Sequence, residues 1–296
     1  MSVQDKTDVM PIQRAIADIQ TPETKPGFLG NGHTARMVVG EDFSQSDPFI
    51  ILMDDMLDKK DTEPAGGPHP HAGFETVTLL LEGELGEMKQ GDMQMMTAGS
   101  GIVHTETIDT INRFRILQLW LNLPKKDRWT TPRLQDISVD KAPVATGDGW
   151  KARVYSGSFA GVSSPVNNYV PVIIADIQLQ PGAKMKQELP AAFNTFLYVI
   201  DGDIEVGADK TALHDAQIGW LDRYTEDASS ELSITAGATG ARLVLYAGLP
   251  TGDHIVSYGP FIGDTQEDII RLYRDYREHK MGHINDVPAA QKMEWR

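Results

Sequence analysis

The chain has 296 residues, 41% hydrophobic and 23% charged, the balance of a globular protein and not of a disordered, collagen-like or coiled-coil one. Its 42 acidic and 27 basic residues leave a net charge of −15, with no basic face of the kind that binds nucleic acid and no apolar run near the 18 or so residues that span a bilayer. There is no cysteine, which excludes disulfides, iron–sulfur clusters, Cys-ligated zinc and a thiol nucleophile.

The polar start, Met1–Asp8, lacks the apolar core of a secretory signal and predicts a cytoplasmic protein. Length predicts two domains or one large one. Short apolar runs follow along the chain: Phe49–Met53, Val77–Leu81, Phe114–Leu121, Val172–Ala175, Phe196–Ile200 and Arg242–Tyr246. They are rich in β-branched and aromatic residues and bounded by glycine, proline and polar turns, so they predict buried strands of a sandwich or barrel. The densest basic cluster, Lys125-Lys126-Asp127-Arg128, is short and mixed, and a weak helix is expected over Asp127 to Trp129. One clear helix follows Thr265: Ile269, Leu272, Tyr273 and Tyr276 recur at helical spacing, cations gather toward its end, and Gly282 is expected to stop it.

Twelve residues repeat without a gap. Phe74–Leu85 (FETVTLLLEGEL) aligns with Phe193–Ile204 (FNTFLYVIDGDI), keeping Phe, Thr, the apolar run and an acid-Gly-acid turn. The repeat predicts two similar β-domains, over residues 30–140 and 150–283, with a loop-like seam at Asp140–Trp150.

The metal-ligating residues fall in two pairs. His69-Pro70-His71 precedes the first repeat strand, and His104-Thr105-Glu106 comes later. In a strand, residues i and i+2 share a face, so each pair can present two donors to one cavity. Imidazoles with a carboxylate and no sulfur suit Fe(II), Mn, Ni, Cu or Zn. In the second half the repeat offset puts Glu188 and Pro190 where the first has His69 and His71, so one metal per chain is expected. His33, His214, His254, His279 and His283 belong to no such pair and are expected to be structural or solvated.

Three segments resemble the pirin family, a branch of the cupin superfamily: His69–Thr78 (HPHAGFETVT), Gly91–Glu106 (GDMQMMTAGSGIVHTE) and Ser257–Phe261 (SYGPF) followed by the helix. The resemblance covers residues 30–283. It implies an all-β fold of two cupin-type β-barrels packed face to face and crossed by terminal segments, with a C-terminal α-helix. It implies one divalent metal, Fe(II) first, held in the N-terminal barrel by His69, His71, His104 and Glu106. It further implies either a quercetin 2,3-dioxygenase-type enzyme with a small flavonol-like aromatic substrate, or a metal- and redox-dependent regulator that binds a protein partner. In the enzyme reading Glu106 is both ligand and base, and Phe74, Met93, Met95 and Met96 either line an apolar pocket or belong to the core.

The sequence departs from the family pattern at Ala72 and Ser100, where a cation is frequent, at Met95, where Trp is frequent, and in a short hairpin after Glu84. The loss of two cations near the metal mouth argues against a polyanionic partner there. Glu75 competes with Glu106 for the carboxylate role, because it shares the odd parity of His69 and His71. Gly73 between them is expected to break that parity and turn Glu75 away.

Overall fold

A computed structural model describes residues 11–296 apart from Glu41 and Asp227; the polar stretch Met1–Asp8 lies outside them. All six apolar runs are strands, within Phe49–Lys59, Phe74–Leu85, Asn112–Asn122, Val172–Leu179, Asn194–Val206 and Ser229–Gly248. They assemble two β-barrels.

The main sheet of the first barrel runs Lys292–Trp295, Arg133–Ile137, Met93–Thr97, Phe74–Leu85, Asn112–Asn122, Phe49–Lys59, His33–Val39, Thr24–Pro26. Facing it is a three-stranded sheet of Gly282–His283, Ile102–Ile108 and Ala65–His71. The second barrel is built on Trp150–Ser156, Val172–Leu179, Ser229–Gly248, Asn194–Val206 and Ile218–Leu221. The termini cross over. Ile16–Gln20 pairs with Ile218–Leu221 of the second barrel, and Lys292–Trp295 with Arg133–Ile137 of the first. The stretch expected as a loop-like seam is partly ordered sheet: Val144–Gly147 pairs with Trp150–Ser156, and Ala142 is buried between the barrels.

The repeat explains how the barrels meet. Val77, Leu79 and Leu81 of the first copy and Phe196, Tyr198 and Ile200 of the second are buried in one shared core. Strand alternation sends the residues between them into the separate barrel interiors. Leu80 packs with Leu57, Phe114 and Ile116, and Leu197 and Val199 pack with Leu243 and Leu245. An ion-pair group is embedded in the contact. Asp54, with no exposed side-chain surface, takes a bidentate bond from Arg115 (2.8 and 2.8 Å) and a third from the Tyr198 hydroxyl of the other barrel (2.6 Å).

The C-terminal helix spans Gln266–Arg277 and opens on a capping box between Thr265 and Asp268. Ile269 and Leu272 are buried against Phe261 and Ala72, with Trp129, Tyr273 and Tyr276 around them. Its end differs from expectation: the C-cap is Glu278, and Gly282 instead joins a strand beside Ile102. The helix expected at Asp127–Trp129 is a turn. Arg128 leaves the surface there, because its guanidinium binds Asp264, the Gly73 carbonyl and Asn122 in a fully buried setting.

Candidate metal centre

Strand Ala65–His71 pairs antiparallel with Ile102–Ile108, with His104 opposite His69, Ile102 opposite His71 and Glu106 opposite Gly67. Directly opposed residues share a face, so both period-2 pairs point into the first barrel. The structure brings the three histidines together: one nitrogen from each of His69, His71 and His104 lies within 4.8 Å of the others. Burial is graded across the site. His71 is buried, His104 nearly so, and His69 and Glu106 keep about a third of their side chains exposed (36% and 32%).

Backbone groups orient the rings. Nδ1 of His69 is 2.9 Å from the Gly67 carbonyl. A carbonyl only accepts, so Nδ1 carries the proton and Nε2 keeps its lone pair. That Nε2 faces Nε2 of His104 at 2.7 Å. Burial, and then the neighbouring rings, lower His71 to about 2 and His104 to about 3, so both are neutral donors at physiological pH. Nδ1 of His71 is buried without a hydrogen-bond partner. Three converging imidazoles, two of them held neutral and one with an unsatisfied nitrogen, form a donor set that fits a first-row divalent ion.

Glu106 stands at the edge of this cluster, its oxygens 3.8 Å from His104 Nδ1 and 3.9 Å from His69 Nε2. Burial raises its carboxyl above the ordinary range, and Gln118 on the facing wall acts in the opposite direction. Glu75 is elsewhere. Gly73 has φ 88°, and a side chain there would lie 2.0 Å from the Ile262 carbonyl oxygen. The turn throws Glu75 onto the inter-barrel face, where Oε1 accepts from the Thr97 hydroxyl at 2.5 Å and sits 3.6 Å from Arg133.

Other expectations need correction. Met93 and Met95 are buried between the barrels, and Met96 packs with Ala98, Ile102 and Val287. Of the four candidate lining residues, Phe74 borders the site, 5.2 Å from His71 between ring centroids. Ala72 is not at the metal mouth. It is fully buried beneath the C-terminal helix and bridges Phe261, a position that excludes a free cation. In the second barrel the inward positions are Gln187 and Leu189, opposite Leu232 and Ser230, while Glu188 and Pro190 are exposed. Three residues, Pro190–Ala192, separate Leu189 from Phe193 where two separate His71 from Phe74, so the register slips by one. The interior is filled by Met185, Leu189, Leu232 and Ile234.

Several residues around the site carried no signal strong enough to mark them. Trp120 stacks on Phe74 at 4.3 Å and meets His71 at 5.3 Å. It and Gln118 alternate on one strand, which reads from sequence as ordinary core. Ala72 bridges Phe261, and Ile262 N–H donates to Ala72 O at 3.0 Å, so the end of the Ser257–Phe261 motif buttresses the histidine strand. His33, outside the pairs, is buried against Asp55. His254 and His279 are exposed, His214 pairs with Asp203, and His283 meets the Thr105 hydroxyl.

Residues 32–121 match the family model described as Pirin, and residues 174–282 the one described as Pirin C-terminal cupin domain. A pirin-like protein of Solanum lycopersicum is 35% identical over 269 residues, covering 86% of this chain and 88% of its own. The chain belongs to the pirin family. Among solved structures, a Geobacillus kaustophilus protein is 34% identical with a TM-score of 0.75, covering 83% of this chain and 100% of that one. A quercetin 2,3-dioxygenase of Acinetobacter baumannii is 26% identical with a TM-score of 0.78, covering 92% and 99%. The two pirin cupin domains account for the paired barrels. Among the described residues no helix is long and apolar enough to cross a membrane.

Proposed function

We propose that this pirin-family chain is a metal-dependent dioxygenase of the quercetin 2,3-dioxygenase kind, with His69, His71, His104 and Glu106 holding one iron-type divalent ion. The carrying observation is the three-imidazole cluster in a barrel whose whole chain resembles such an enzyme. When bound, the ion supplies Lewis-acid polarisation and a template for a substrate oxygen. The protein does the rest. The Gly67 carbonyl holds His69 in the tautomer whose Nε2 faces the cluster. Phe74 and Trp120 wall off His71, and Trp120, stacked on the fully buried Phe74, offers a flat apolar surface to an aromatic ligand. Glu106, beside the imidazoles and partly exposed, takes the proton of a substrate hydroxyl as the ligand docks.

The test is quercetin consumption with carbon monoxide release by protein loaded with Fe, Mn, Ni or Cu. Turnover well above the metal-free protein is expected; none with any of the four sinks the reading. The exposure of His69 and Glu106 favours one alternative, a regulator whose surface changes with the oxidation state of the metal and is read by a protein partner. Capture of the same partner by Fe(II)- and Fe(III)-loaded protein alike would count against it.

A further inference from the structure

The wall facing the imidazoles holds a polar group that the reading above does not use. Strand Phe49–Lys59 alternates: Leu52 and Asp54 face the other barrel, and Ile51, Met53, Asp55 and Leu57 face inward. Asp55 is therefore a carboxylate of the cavity wall, with only 9% of its side chain exposed. Its Oδ1 is bound by His33 Nε2 at 2.9 Å. His33 Nδ1 accepts the Leu29 N–H at 3.0 Å, so the proton on His33 sits on Nε2 and is donated to Asp55. That ring is closely held: a side chain on Gly27 would fall 2.1 Å from it.

Asp55 is thus aimed, and its second oxygen takes no hydrogen bond from the described side chains. Its partners on the two neighbouring strands are Ala35 and Ile116, so no polar side chain directly opposite competes for that oxygen. Asp55 lies one inward step along the wall from Met53, the rung partner of Gln118, and Gln118 shares its inward face with Trp120, whose ring is 5.3 Å from His71. Facing sheets stand about 10 Å apart, so an aromatic ligand that approaches the imidazoles carries its remote substituents to this wall. Among the inward residues at positions 51–57, 74–80 and 116–120, the stretches around Asp55, none is Lys or Arg, and Lys59, farther along the strand beyond Leu57, is paired with Asp61. An anionic substituent meets no counter-charge there, whereas a hydroxyl donor does meet an acceptor.

Deepening the dioxygenase reading and resting on it, we propose that Asp55, oriented by His33, is a specificity-determining residue. It accepts a hydrogen bond from a ligand hydroxyl directed away from the three histidines and so selects hydroxylated over unsubstituted rings. The experiment is equilibrium binding to the manganese-loaded full chain without oxygen. The probes are quercetin, 3,5,7-trihydroxyflavone (no hydroxyl on the pendant ring) and 3,3′,4′-trihydroxyflavone (none on the fused ring). In the wild type one of the two analogues should bind about ten- to hundredfold more weakly than quercetin, the range for a hydrogen bond to a charged group. Asp55→Asn should remove that preference while keeping metal content. If Asp55→Asn fails to fold, Asp55→Glu keeps the charge, moves the acceptor by one methylene and should still compress the preference. Equal binding of all three probes by the wild type, or a preference unchanged in the variants, overturns the proposal and leaves the dioxygenase reading standing. Binding of none of them overturns both.

Discussion

Glu75 lies four residues beyond His71, yet its carboxylate accepts the Thr97 hydroxyl at 2.5 Å on the inter-barrel face, turned away from the imidazoles. Glu106, two residues beyond His104, stays beside them. Glu106→Gln should therefore weaken metal binding by well over tenfold, and Glu75→Gln by less than about tenfold, since Glu75 bonds Thr97 and none of the three histidines, whereas a partner that orients a ligand typically costs roughly 10–100-fold. Glu75→Gln should show mainly as a shift in melting temperature. Metal titration of both variants decides the order.

One metal per chain is expected. His69→Ala and His104→Ala should each abolish stoichiometric metal, because each removes one of the three imidazoles clustered among the described residues. Elemental analysis of freshly purified protein measures this. Two tightly bound equivalents would contradict a second barrel filled by Met185, Leu189, Leu232 and Ile234.

Gly73→Ala should destabilise the chain and loosen the metal together. The left-handed backbone costs a non-glycine residue about 1–2 kcal/mol, and overlap with the Ile262 carbonyl adds to it. Denaturant melts paired with metal affinity would expose the link. A variant with weakened stability and intact affinity would show that the bend does not aim His71.

The barrels should separate energetically when Asp54 loses a partner. Arg115→Met takes the bidentate bond from a fully buried carboxylate and leaves it Arg36 at 3.3 Å, a loss of about 3 kcal/mol, the lower end for a broken buried pair. Tyr198→Phe removes a single bond across the interface and should cost about 1.5–3 kcal/mol. Urea unfolding of the two variants checks the ranking.

Removing residues 264–296 uncovers the surface beneath Ile269 and Leu272 and deletes the Lys292–Trp295 strand. At about 1.5–3 kcal/mol per fully buried aliphatic side chain, the loss should reach at least 3–6 kcal/mol. A truncated chain that melts like the whole protein would show that the helix is dispensable.

The sequence alone determined what depends on local period and composition. The apolar runs had to be strands, Thr265 had to start a helix, and two histidine pairs at i and i+2 had to share faces. The repeat announced two like barrels. Tertiary structure decided what depends on register and on who stands opposite. A one-residue difference between the bends at Ala72–Gly73 and Pro190–Ala192 sends His69 and His71 inward but Glu188 and Pro190 outward, and strand alternation leaves no middle course. Arg128 reads as part of a surface cation cluster until Asp264, 136 residues away, closes over it. His33 reads as a lone histidine until Asp55 meets it from the neighbouring strand. Such partners are distant along the chain, and folding selects them through packing and charge pairing that no local pattern records.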